Sequence, residues 1–119
     1  MVESPKRLPA AFFRTGSGGE PVREGLKSDL FSRADRRRIG ASIKTVGFGW
    51  PIGMPTCRPL GGEPWEIRIA LNNRIARVLF CVHAETMVLL HGFIKKTRAA
   101  PQAEIALARQ RMTILERPQ

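Results

Sequence analysis

No run of about 18 apolar residues occurs in this chain, so no transmembrane helix is expected. The opening residues, MVESPKRLPA, lack the apolar core of a secretory signal, and a cytoplasmic location is the expectation. Cysteine is scarce. Cys57 and Cys81 show neither C-x-x-C spacing nor a disulfide framework, and their context suits buried reduced thiols. Together with His83 and His91 they form no zinc spacing, so neither metal nor cofactor is expected. Tyrosine is missing altogether. Acidic residues are also few: ten Asp+Glu face twenty Lys+Arg, a formal charge of +10. An excess of that size repels itself unless an anion is usually at hand, and nucleic acid is the commonest such partner.

What is present suits one globular domain. The 119 residues are 43% hydrophobic and 25% charged, enough to bury a core without staples. Residues 1–9, punctuated by Pro5 and Pro9, read as a flexible arm, and 10–116 as the domain. Residues 10–15 suit a short strand with Phe12 and Phe13 on opposite faces. Pro21 opens a helix whose stripe is Val22, Leu26 and Leu30. Ser32 and Asp35 have the spacing of a capping box, starting a second helix to about Val46 with Ile39, Ile43 and Val46 buried. Residues 47–64 are rich in Gly and Pro, with a short strand around Thr56–Leu60.

Trp65, Ile67, Ile69 and Leu71 alternate with Glu66, Arg68 and Ala70, the period of a half-buried strand. Asn72-Asn73 reads as a two-residue turn, Arg74–Val82 as the returning strand, and Met87–Thr97 as a third. Pro101 starts a last helix with Ile105, Ala108, Met112 and Leu115 on its apolar side. The expected fold is α+β: a small antiparallel sheet of about four strands, two N-terminal helices and one C-terminal helix.

Hairpin register converts this pattern into a candidate site. A two-residue turn at Asn72-Asn73 pairs Leu71 with Arg74 and Ile67 with Val78 on the core face, and sets Arg68 opposite Arg77 on the other. Like charges across an antiparallel pair repel, so an anion between them is implied. A three-residue loop at His83–Glu85 would bring His91 beside Arg77, with Phe93 and Lys95 continuing the face; a four-residue loop would send His91 into the core. Lys96 follows Lys95 at the strand's basic end. A plainer reading competes: Glu66 lies two positions from Arg68 on the same face and suits a solvated ion pair with it. Arg36, Arg37 and Arg38 read as a wet helix face, with docking on an RNA backbone as the functional alternative. Trp50 and Trp65 read as packing residues.

The run TVGFGWPIGMPTCRPLGGEPWEIRI, then RIARVLFCV and LLHGFIKKTRAAPQAEIALARQRM, resembles the RelE/HigB-type toxins of bacterial toxin–antitoxin pairs, and more narrowly their phage-derived branch. The likeness spans about residues 11–112. It implies a metal-independent ribonuclease that cuts messenger RNA on the ribosome and is held in check by a HigA-like helix-turn-helix antitoxin. It also implies that Arg68 and Arg77 bind the scissile phosphate, with Lys95 and Lys96 at the end of the last strand and Arg58 on a loop facing the site.

The implied chemistry is attack of a ribose 2′-OH on its own 3′-phosphate, which needs cations, a base and an acid. Arginine grips phosphate oxygens bidentately, and His91 among cations favours the neutral form a base requires. Members of the family place a tyrosine in the site; this chain has none, and its general acid is unassigned. Further departures are Gly25 where a bulky aromatic is common, Glu63-Pro64 ahead of the strand, and Ala100 where a capping Thr is common, worth about 1 kcal/mol. Two other functions stand beside the nuclease: a ParE-like gyrase poison on the same fold, and an inactive phage-derived RNA-binding remnant.

Overall fold

A computed structural model describes residues 8–49, 57–60, 62–95 and 101–116. The elements run β1 (Ala10–Phe12), α1 (Pro21–Leu26), α2 (Arg33–Phe48), β2 (Cys57–Pro59), β3 (Trp65–Leu71), β4 (Arg74–His83), β5 (Thr86–Ile94) and α3 (Gln102–Glu116). The fold is α+β, with two N-terminal helices and one C-terminal helix as expected. The sheet is larger than expected and mixed: five strands in the order β1-β5-β4-β3-β2, antiparallel except where β1 joins β5 in parallel. The arm expected at residues 1–9 falls mostly outside the described residues, as do Trp50, Lys96 and Ala100.

The strand period separates two apolar layers. Ile67, Ile69, Val78, Phe80 and Leu89 turn to one face and pack with Val22, Ile39, Ile43 and Val46 of α1 and α2. Leu79, Cys81, Val88 and Leu90 turn to the other, where Ala108 of α3 closes over them. Phe12 packs into the first layer and Phe13 into the second, the split expected from their adjacency. Trp65 packs against the first layer. α1 stops at Leu26, and Leu30, expected on its stripe, is 51% exposed.

Local chemistry sets the ends of α2. The Ser32 hydroxyl accepts from Asp35 N–H and the Asp35 carboxylate accepts from Ser32 N–H, both at 3.0 Å. These bonds to Ser32 hold the Asp35 carboxyl below the usual range, and nearby Arg74 acts in the same direction. Arg74 bonds Asp35 at 2.5 Å and the Leu30 carbonyl at 2.8 Å, tying the start of α2 to the β3–β4 turn. At the far end Gly47 is required by contact: a Cβ there would lie 2.7 Å from the carbonyl oxygen of Leu8, and the Leu8 N–H donates to Gly47 O.

Candidate functional site

The β3–β4 register is the expected one, with Arg68 opposite Arg77 and Leu71 opposite Arg74 across the Asn72-Asn73 turn. Asn73 takes the positive φ, +63°. Three rows then cross the α3 side of the sheet. Glu66, Leu79 and His91 form one; Arg68, Arg77 and Phe93 the next; Ala70, Ile75 and Lys95 the third, where Lys95 N–H donates to Ile75 O at 3.0 Å.

His91 reaches this face by a different route from the one expected. The β4–β5 turn has two residues, Ala84 and Glu85, both at positive φ, since His83 pairs with Thr86. Two-residue parity alone would set His91 opposite Val78, in the core. A bulge intervenes: Phe80 pairs with Leu89 but Leu79 pairs with His91, leaving Leu90 as the extra residue. Everything beyond it changes face, so His91, Phe93 and Lys95 share the side of Arg77. Arg77 faces Phe93 directly, and His91 lies one row away.

Arg77 itself differs from the expectation of a guanidinium offered to a ligand. Its side chain is 4% exposed and bonds Glu66, 1% exposed, at 2.5 Å. The carboxylate expected to serve Arg68 thus serves Arg77. Burial makes this pairing necessary, because an unpaired guanidinium in the interior costs several kcal/mol, of the order of 3–5. The Nε of Arg77 finds no acceptor among the described residues. Arg68 points into solvent, the exposed cation of the pair of rows.

His91 is half-buried and stacks on Phe93, with ring centroids 5.5 Å apart and planes at 24°. Its pKa is lowered, first by desolvation and then by Arg111, with Glu104 acting against both. The neutral imidazole is therefore favoured at pH 7, which is the form of a general base. Arg111 and Glu104 were not singled out from sequence. They belong to the stripe of α3 that carries buried Ala108, since positions 104, 108 and 111 share one helix face. Arg111 donates to the Leu90 carbonyl at 2.6 Å, at the bulge, and lies 5.6 Å over the Phe13 ring. Desolvation lowers its pKa. An arginine one turn from Ala108 and beside Met112, next to the apolar side of the helix, was the signal available for it.

Of the remaining candidates, Arg58 is in β2 opposite Glu66, so its register position continues the row of Glu66, Leu79 and His91, and Lys96 is outside the described residues. Arg36, Arg37 and Arg38 are exposed on α2, which packs on the opposite side of the sheet, so they do not line the same surface as Arg68 and His91. Arg38 bonds the Ala70 carbonyl at 3.0 Å. Glu63, read as a rough entry to β3, has a use: its carboxylate accepts from Val82 N–H at 2.8 Å. Cys81 is buried, as expected. No helix among the described residues is long and apolar enough to cross a membrane.

No curated protein and no solved structure matches the chain. A family model described as "Phage derived protein Gp49-like (DUF891)" matches residues 29–113, well over half of the sequence, from just before α2 into α3. With the resemblance carried by the W-E-I-R, A-R-V-L and H-G-F-I-K-K-T segments, this match identifies the chain as a member of the phage-derived Gp49-like family, a RelE/toxin-like family.

Proposed function

We propose that this protein is the toxin of a toxin–antitoxin pair and acts as a metal-independent, ribosome-dependent endoribonuclease. The observation that carries the reading is the row structure on the α3 side of the sheet. An exposed arginine, a half-buried histidine with lowered pKa and a lysine fall on neighbouring rows of one face. That set matches what transesterification of RNA needs. Neutral His91 takes the proton of a ribose 2′-OH, the 2′ oxygen bonds to the adjacent phosphorus, and the P–O5′ bond breaks. The products are a 2′,3′-cyclic phosphate and a 5′-OH, the second completed by a proton from Lys95 or from water. Arg68 supplies a planar, permanently charged fork to the phosphorane oxygens.

Arg77 enters this reading with a changed role. Locked to Glu66 beneath the surface, with its charge answered there, it holds the row in place rather than gripping the phosphate. Its burial, together with the absence of tyrosine, supports a second reading, an RNA-binding member of the family without cleavage activity.

The test is induction of the chain in bacteria, followed by mapping of messenger RNA ends on ribosomes. Translation arrest with new in-frame cuts that vanish in Arg68→Ala is the expected result. Growth arrest with intact transcripts and altered DNA topology would replace it with a gyrase poison. RNA retention without cuts would select the non-cleaving reading.

A further inference from the structure

Strand β1 is an edge of the sheet, and its outer side is open among the described residues. Met87 N–H donates to Pro9 O and Phe13 N–H to Leu89 O, each at 2.9 Å, so residues 9, 11 and 13 direct their backbone polar groups at β5. Alternation turns the N–H and C=O of Ala10 and Phe12 the other way. Edge strands are ordinarily blunted by a charge, a bulge or a proline within them, and Ala10-Ala11-Phe12 has none of these.

Alongside this edge runs an open groove of roughly 520 Å³, walled by β1 and by α2. Ile43 and Leu89 form its apolar floor, and Gly40 and Ala41 keep the helix wall low. A Cβ on Gly40 would meet nothing within 4 Å. Arg37 and Lys44, both exposed, stand on the helix side of the groove, seven residues and so about 10 Å apart along the axis.

We propose that this edge and groove bind an extended, acidic segment of a partner protein, which adds a strand to β1. Backbone groups of Ala10 and Phe12 pair with the segment, alternate apolar side chains enter the groove, and its carboxylates meet Arg37 and Lys44. The formal charge of +10 favours such a partner at long range. A second copy of the chain fits poorly, because it brings the same cations against each other. An RNA backbone would satisfy the cations but leave the strand edge and the apolar floor unmet. The surface stands independently of RNA cleavage; only the identification of the partner as an antitoxin rests on the toxin reading.

Three ten-residue peptides alternating valine with glutamate, serine or lysine test this against the full-length chain by amide NMR. The glutamate peptide is expected to bind at least tenfold tighter than the lysine peptide and to slow hydrogen exchange at Ala10 and Phe12. Ala10→Pro removes an outward N–H while leaving the bonds to β5, and Gly40→Leu fills the groove and favours the helix. Each is expected to weaken binding at least tenfold in a protein whose circular dichroism is unchanged. Arg37→Glu with Lys44→Glu is expected to invert the preference towards lysine. The proposal is overturned by absence of saturable glutamate-peptide binding, by equal binding of all three, or by full binding in folded Ala10→Pro. It is equally overturned if a single-stranded RNA oligonucleotide, and not the peptide, protects these amides. RNA cleavage assays report on the other face of the sheet, so either result stands when the other fails.

Discussion

Replacing Glu66 with alanine leaves the guanidinium of Arg77 in the interior without its carboxylate, and the consequence can be sized. Both side chains are almost wholly buried, at 1% and 4% exposure, and the bond between them is 2.5 Å. Breaking such a pair from one side costs about 3–5 kcal/mol, because the remaining charge stays desolvated and unanswered. Against a total stability of about 5–15 kcal/mol, that is a large fraction. Arg77→Met withdraws the guanidinium from that buried carboxylate and is expected to destabilise the fold as well. Replacing both, as Glu66→Leu with Arg77→Met, removes both charges at similar volume and is expected to cost little, within about 1 kcal/mol of the parent. Urea unfolding followed by tryptophan fluorescence, applied to the parent, Glu66→Leu, Arg77→Met and the double variant, gives all four corners of the cycle. The expected coupling is about 3 kcal/mol or more. A Glu66→Ala cost below about 1 kcal/mol, or additivity of the two changes, would refute the burial argument and return Arg77 to the list of cations free to grip a phosphate.

Other consequences are smaller or more local. Gly47→Ala brings a methyl group to 2.7 Å from the Leu8 carbonyl, and thermal melts are expected to show a loss of about 1–3 kcal/mol. Ala84 and Glu85 both sit at positive φ, so Ala84→Asn with Glu85→Gly is expected to gain about 1 kcal/mol without moving the β4–β5 register. Because the pKa of His91 is lowered on folding, the unfolded chain binds its proton first. Stability therefore falls as pH drops below about 6.5, until the lower folded-state value is passed, and His91→Gln is expected to remove that slope in pH-dependent unfolding. Ser32→Ala is expected to cost about 1 kcal/mol through loss of the N-cap, read by the same melts.

Some of this was readable from residues alone because the governing interactions are local. The capping box of Ser32 and Asp35 lies within one turn, and Asn72-Asn73 announces a two-residue turn, which fixes every pair from Trp65–Phe80 to Leu71–Arg74. The β4–β5 pairing was not readable for two linked reasons. Ala84 and Glu85 are unmarked residue types for left-handed backbone, so the turn reads as longer than it is. The bulge at Leu90 has no glycine to signal it, and it reverses the parity that the turn would set. The Glu66–Arg77 pair was not readable because Glu66 also stands two positions from Arg68 on the same face, and register alone does not say which guanidinium is buried. Distance in sequence hid Arg111, whose partners are a strand carbonyl and the Phe13 ring.

The chemistry at the end of a cut tests the central proposal most directly. Ribosomes carrying a defined message are incubated with the purified chain, and the new RNA ends are captured by a ligase that joins 2′,3′-cyclic phosphates. Cyclic phosphate ends at in-frame positions, present with the parent protein and lost in Arg68→Ala and His91→Ala, are the predicted result. Intact messages, or cuts that persist unchanged in both variants, would contradict the assignment of the site to this face of the sheet.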